Sequence, residues 1–208
     1  MTELVPTIVV IDDDPSVRKA LGRFLKSVNL EVVAFASAGE FLKHPLPDGP
    51  ACVILDVRMP GLNGLDLQRA LVERDAGLPI VFITGHGDIP MTVRAMKAGA
   101  VDFLPKPFNN QDLLAAVRLA IARHTRARQA EARLAAVRRR AESLSPRERQ
   151  VMALVVSGML NKQTGRQLGV SEKTVKAHRG QVMRKMEAHS LAELVRLAEK
   201  IGIKSPRP

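Results

Sequence analysis

The sequence predicts an α/β protein with an all-α annex: a doubly wound parallel sheet, then a long linker helix, then a small four-helix domain of helix-turn-helix form. Three observations predict it. Short runs at TIVVI, ACVIL, IVFI and VDFL, rich in Val and Ile and bounded by Gly, Pro or Asp, read as buried parallel strands with helices between them. Residues 118–143 are rich in Ala and Arg and contain neither Gly nor Pro, so the last helix of the sheet domain, starting near Asn110, is expected to run far into the linker. Beyond Ser145, apolar residues recur at helical spacing in four short segments punctuated by Gly.

The strand runs share a feature that bears on chemistry. Each leads into a particular polar group: the Asp12-Asp13 pair, Asp56, Thr84 and Lys106. In an open α/β sheet the carboxyl ends of the strands gather at one edge, where ligands bind, so three carboxylates, a hydroxyl and an ammonium are expected to converge there. Three carboxylates at close range call for a cation, and hard oxygen donors favour Mg²⁺. Asp56, alone at its strand end, is the candidate nucleophile for a phosphorus centre, giving an acyl phosphate. Asp12 and Asp13 would hold the metal, Lys106 would offset phosphoryl charge, and Thr84 would donate a hydrogen bond to a phosphoryl oxygen. Asp14, followed by Pro15, is read as a helix N-cap with Pro at the first helical position.

The segments IDDDPSVRKAL, VILDVRMPGLNG and VFITGHGDIPMTVRAMKAGAVDFLPKPF, with the spacing among them, resemble the receiver domains of two-component response regulators over roughly the first 120 residues. The resemblance implies a five-stranded, flavodoxin-like sheet with Asp56 as phosphoacceptor, and a Mg²⁺ site made by Asp12, Asp13, Asp56 and the main-chain oxygen of Arg58. It further implies a cis bond at Lys106-Pro107, which an X-Pro linkage makes accessible. Gly85 within ITGHGDIPM is similar to the FixJ subfamily in particular. By the same resemblance Thr84 and Phe103 form a switch: Thr84 moves toward the phosphoryl group and the Phe103 ring turns inward behind it. That alters a face formed by residues 90–98 and 101–104. This face is the candidate for phosphorylation-dependent dimerisation, with Met91, Arg94, Met96 and Lys97 among its contacts.

Length and charge argue for two domains. Of the 32 Lys and Arg and 21 Asp and Glu, residues 1–110 hold 11 against 13 and residues 111–208 hold 21 against 8, so the net +11 comes from the second half. A basic half points to nucleic acid first and an anionic membrane second. No apolar stretch reaches spanning length and the N-terminus lacks the pattern of a signal peptide, so a cytoplasmic protein with no membrane partner is expected. Cys52 lies inside an apolar run and is expected to be a buried, inert thiol. The expected domains are 1–122 for the sheet domain, 123–143 for a basic helical linker and 144–208 for the helix-turn-helix domain. Leu134, Val137, Ala141 and Leu144 offer a short seam on the linker, open to a coiled-coil contact, a solvated basic helix or attraction to a phosphate backbone.

The basic domain opens on Ser145-Pro146-Arg147-Glu148, a capping box with Pro at the first helical position. Ser157-Gly158 ends that helix, Asn161 begins a second, Gly169 breaks it, Ser171 caps a third running to about Glu187, and a fourth spans about Ser190 to Ile201. On the third, Val175, Val182 and Met186 can face a core, while Lys173, Lys176, Ala177, Gly180, Gln181 and Arg184 form the opposite side. Such a narrow basic face suits a major groove. Lys176 is the expected base-edge reader, with Lys173, Arg179, Arg184 and Lys185 as phosphate contacts. The segment LSPRERQVMALVVSGMLNKQTGRQLGVSEKTVKAHRGQVMRKM resembles the LuxR-type DNA-binding domain. That resemblance implies a dimer contact on DNA through the fourth helix, here Leu191, Leu194 and Val195. Thr164-Gly165 departs from the family pattern of an apolar residue followed by Ala, which suggests a looser scaffold helix, and Gly180 departs where some relatives carry a base-contacting Lys.

Together these features point to a FixJ-like response regulator. Its expected partners are a histidine kinase, double-stranded promoter DNA, RNA polymerase and a second copy of itself on phosphorylation, and its expected output is activation of transcription. Two other readings share parts of the pattern: a phosphohydrolase or phosphotransferase acting on a small molecule, and a DNA-binding protein that works without phosphorylation. The first lacks a second acidic residue two positions after Asp56, where Arg58 stands.

Overall fold

The computed structural model describes residues 5–85 and 89–203. The His86-Gly87-Asp88 part of the ITGHGDIPM motif lies outside the described residues. The chain divides into two compact units, residues 1–128 and 129–208.

In the first unit five strands, β1 (Thr7–Ile11), β2 (Glu31–Phe35), β3 (Ala51–Asp56), β4 (Ile80–Thr84) and β5 (Asp102–Pro105), form one parallel sheet in the order β2-β1-β3-β4-β5. β3 and β4 are buried along their whole length, which is why they read as unbroken apolar runs. β2 and β5 are edge strands and are partly exposed. Alternation along the strands splits the core into two layers. Val9, Ile11, Val53, Leu55, Ile80 and Phe82 face α2 (Ala38–Phe41), α3 (Gly64–Glu73) and α4 (Ile89–Lys97). Ile8, Val10, Cys52, Ile54, Val81 and Ile83 face α1 (Pro15–Ser27) and the first turns of α5 (Asn110–Glu142). Asp14 caps α1 as its sequence position predicts, its Oδ1 accepting from the Ser16 N–H at 2.7 Å.

α5 is a single 33-residue helix. Leu113, Ala116, Val117 and Ala120 lie in the core of the first unit, and Val137 in that of the second, with Ala141 against it. As expected, the helix that begins at Asn110 runs on through the 123–143 stretch, and the end of that stretch contributes to the core of the second unit. Val137 and Leu144 are 6% and 2% exposed, so that part of the seam is spent inside the chain rather than on a coiled coil or on solvent.

The second unit adds α6 (Pro146–Val156), α7 (Asn161–Leu168), α8 (Glu172–Met186) and α9 (Leu191–Lys200). The capping box at Ser145 is formed, with the Glu148 N–H donating to Ser145 Oγ and the Ser145 N–H donating to Glu148 Oε2. Val151, Met152, Val155, Val175, Val182, Met186, Leu194 and Ala198 build the core. Thr164 is fully buried and its hydroxyl has no hydrogen-bond partner among the described residues, while a Cβ on Gly165 would come within 2.7 Å of the Val170 carbonyl oxygen. The expectation of a loose scaffold helix is thus reversed, because Gly165 marks where α7 packs too tightly on the turn for any side chain.

Candidate functional sites

Register places the polar strand ends level with one another. Ile11 pairs with Leu55, Asp56 with Ile83 and Thr84 with Pro105, so Asp12, Asp56, Thr84 and Lys106 fall at one edge of the sheet. Lys106 binds two of them: its Nζ donates to Asp12 Oδ2 at 2.7 Å and to Asp56 Oδ1 at 3.1 Å. Asp12 Oδ1 accepts from the Asp14 N–H, and Asp56 Oδ2 from the Arg58 N–H. The loop after β5 turns back through a cis Lys106-Pro107 bond, and the Lys106 N–H is held by the Thr84 carbonyl at 2.7 Å.

Asp12 and Asp56 are 1% and 5% exposed. Burial raises the Asp56 carboxyl above its ordinary range, with the Lys106 hydrogen bond and charge opposing and the Asp12 charge adding to the rise. Lys106 is in turn raised by its two carboxylates against the cost of burial. Two carboxylates and one ammonium leave an uncompensated negative charge, and Asp13 adds another on the exposed side of the same loop. Among the described residues no three acidic, His or Cys side chains are grouped closely enough to hold a metal ion. The available donors are nonetheless hard oxygens carrying excess negative charge, which fits Mg²⁺.

Thr84 is buried and Phe103 half-buried, its ring 6.0 Å from that of Phe82 in the layer under α4. Of the α4 residues expected at a dimer face, Arg94 and Lys97 are exposed, whereas Met91 packs against the core. Met96, expected on the same face, is 42% exposed, and Ile89 and Val93, 81% and 44% exposed, add apolar positions beside it.

Two residues near the acceptor have roles that strand-end reading does not reach. Arg18 donates through Nη1 to the carbonyl oxygens of Asp12 and Asp13 at 2.6 and 2.8 Å, pinning the acidic turn; its signal is a cation one turn into the helix capped by Asp14. Gly64 begins α3 so close to β3 that a Cβ would overlap the Asp56 main-chain oxygen and stand 3.0 Å from Val57 Cα. Only its place in PGLNG hints at this.

In the second unit, Lys173, Lys176, Ala177, Gly180, Gln181 and Arg184 are all exposed along one side of α8, opposite buried Val175, Val182 and Met186. Arg179 is half-buried and donates to Asn161 Oδ1 at 3.2 Å, tying α8 to the start of α7. Lys185 departs from its expected role as a phosphate contact. Its ammonium donates to Glu148 Oε2 at 2.7 Å and to the Ser143 carbonyl at 3.1 Å, so its charge is engaged within the domain. That hydrogen bond, with the Ser145 N–H, holds the Glu148 carboxyl below the ordinary carboxylate range. On α9, Leu194 is fully buried in the core and unavailable to a partner, whereas Leu191 is exposed and Val195 half-buried.

A parallel five-stranded sheet with this acidic edge, joined to a helix-turn-helix unit with a basic exposed face, defines a signalling receiver coupled to a DNA-binding module. Residues 8–118 match the family described as the response regulator receiver domain, and residues 142–198 that of the bacterial regulatory proteins of the luxR family. The chain belongs to the response regulators of the FixJ type, transcription regulators that combine these two domains. It is 54% identical to nodulation protein W of Bradyrhizobium diazoefficiens, over 94% of this chain and 86% of that one. It is 46% identical to the response regulator protein TodT of Pseudomonas putida, over 97% and 88%. Among solved structures, the response regulator StyR superposes with a TM-score of 0.87 at 48% identity, covering 95% of this chain and 100% of that one. Full-length FixJ from B. japonicum gives 0.57 at 44%, covering 95% and 98%.

Proposed function

We propose that Asp56 accepts a phosphoryl group from the phosphohistidine of a partner kinase and that this event controls promoter binding by α8. The observation that carries the reading is the Lys106 ammonium bridging the buried Asp12 and Asp56 carboxylates at 2.7 and 3.1 Å. In the transfer an Asp56 carboxylate oxygen attacks phosphorus, the P–N bond breaks, and the product is an acyl phosphate. Burial keeps water from Asp56, the Arg58 N–H fixes one carboxylate oxygen, and Lys106 compensates the charge that arrives. Asp12, Asp56 and the Arg58 carbonyl, with Asp13 next to Asp12 on the same loop, would hold Mg²⁺, which would supply further positive charge to the site. Thr84 and Phe103 act as the switch, the one answering the phosphoryl group and the other filling the space behind it.

The phosphorylated form dimerises through α4 and β5, with Arg94 and Lys97 at the rim and Ile89, Val93 and Met96 as apolar contacts. Two α8 helices then meet DNA half-sites about one helical turn apart. Lys176 reads a base edge, Lys173 and Arg184 bind phosphates, and Ala177 and Gly180 allow close approach. Leu191 and Val195 supply the contact between DNA-bound domains. Bound at a promoter in the cytoplasm, the dimer engages RNA polymerase and activates transcription. The protein turns over no separate substrate, so it is a switch rather than an enzyme. Among the described residues no helix is long and apolar enough to cross a membrane.

Intact mass and sedimentation of wild type and Asp56→Asn, after acetyl phosphate with and without Mg²⁺, test the reading. A Mg²⁺-dependent phosphoryl adduct in wild type alone, accompanied by dimer, is expected. An adduct that persists in Asp56→Asn displaces the acceptor, and an adduct without dimer overturns dimerisation as the switch.

A further inference from the structure

The interior of the groove between α3 and α4 takes no part in these steps, although Arg94 at its rim also borders the proposed dimer face and the Arg58 main chain the acceptor site. It is open to solvent on one side and offers about 720 Å³, within the range of about 300–1,000 Å³ typical of small-molecule sites. Val57, Met59, Leu65 and Met91 give it an apolar wall, and Arg58 and Arg94 stand over it with charge. Gln68 is buried at its base, where Nε2 donates to the Ala95 carbonyl at 3.1 Å and ties the two helices together. Asp66, also at the rim, is already paired with Arg69, whereas Arg58 and Arg94 have no ion-pair partner among the described residues. The groove therefore presents two guanidinium groups, unpaired with any carboxylate among the described residues, above thioether and aliphatic surface.

We infer that this groove binds a small amphipathic anion, an aromatic or aliphatic carboxylate. Its apolar body lies against Met59, Leu65 and Met91, and its carboxylate is held by Arg58 and Arg94. Guanidinium groups match a carboxylate with paired N–H donors, and the flexible thioethers adapt to varied apolar shapes. A neutral ligand leaves both cations unmatched, and an inorganic anion leaves the apolar wall wet, so the combined chemistry selects an amphiphile. The site does not depend on the assignment of Asp56 as acceptor, and binding is measured without any phosphodonor.

The eight methionines provide the readout. In protein carrying ¹³C-methyl methionine, titration with 2-naphthoate is expected to move the Met59 and Met91 signals saturably and leave those of Met152 and Met186, in the C-terminal core, in place. Affinity is expected to fall roughly tenfold or more for the Arg58→Gln, Arg94→Gln double variant, and by a similar factor when neutral naphthalene-2-carboxamide replaces the acid. A control with the same loss of charge, Arg123→Gln with Arg126→Gln on exposed positions of α5, is expected to bind as wild type does. Shifts spread over both domains, absence of saturation, or equal affinity in the groove variant, the control and the amide would overturn the inference.

Discussion

Gly64 shows how a single residue type is dictated by what it must approach. Helix α3 starts against the Asp56 carbonyl, and a methyl group there would overlap that oxygen. Gly64→Ala is expected to cost about 1–3 kcal/mol, the range for overpacking a tight contact, and to slow adduct formation by displacing the acceptor's peptide; denaturation and intact mass measure the two effects. Thr164 and Gly165 make an opposed pair on α7. Thr164→Val removes a buried hydroxyl without a partner and is expected to raise stability by about 1 kcal/mol, whereas Gly165→Ala drives a methyl into the Val170 carbonyl and lowers it. Cys52 is fully buried in the sheet, and burial pushes its thiol far above the usual range, so iodoacetamide is expected to leave it unmodified until the receiver unfolds.

At the scale of elements, the end of α5 is part of the C-terminal domain. Lys185 on α8 reaches the Ser143 carbonyl, Arg149 on α6 reaches the Leu144 carbonyl, Arg140 pairs with Glu187, and Leu144 fills the core. Leu144→Ala is expected to cost about 2–5 kcal/mol and to be seen in the unfolding of a 129–208 fragment, if the seam is structural as its burial requires. Glu148 links the same elements and gives a pH dependence with a definite sign. Its carboxyl is depressed in the folded state, so its stabilisation is fully present above the ordinary value of about 4.5 and is lost as pH falls through the folded value. Glu148→Gln should lower stability at neutral pH and flatten the acid limb of a Tm against pH curve. His124 on α5 shows the opposite physical origin with the same sign. Burial depresses it, the Arg128 charge adding to the fall and the backbone hydrogen bond to Ala51 opposing it, so its neutral form favours folding above about pH 6.5 and the benefit declines below that.

For the whole molecule, charge is divided as function is. The excess of cations lies in the half that carries α8, whose exposed Lys173, Lys176 and Arg184 are free of the internal network that engages Lys185. DNA affinity is therefore expected to fall steeply with salt, and Lys173→Ala to lower the slope of log K against log salt by about 1 while leaving sequence preference intact. Lys176→Ala is expected to relax preference at one base position, at a cost of about 1–3 kcal/mol. Mobility-shift titrations over a salt series separate the two. In the receiver, Asp56→Asn removes a buried charge whose raised carboxyl costs stability as pH rises through its folded value, so the variant is expected to melt higher than wild type near neutrality.

Much of this organisation was legible in the sequence because it rests on short-range chemistry. Strand runs, the Asp14 and Ser145 caps, the Gly breaks and the charge division are local properties of the chain, and they were enough to order the elements and bring Asp12, Asp56, Thr84 and Lys106 to one edge. Packing through space, by contrast, sets the direction in which half-apolar helices turn. Met91 and Leu194 carry the same local signal as their exposed neighbours, yet both face a core, and Val137 belongs to a domain that its linker composition does not announce. Gly64, Arg18 and Lys185 were hidden for the same reason. Their roles are set by atoms at the Asp56 carbonyl, the Asp12 and Asp13 carbonyls and the Glu148 carboxylate, groups that a helix periodicity cannot see because the contacts run through space rather than along the chain.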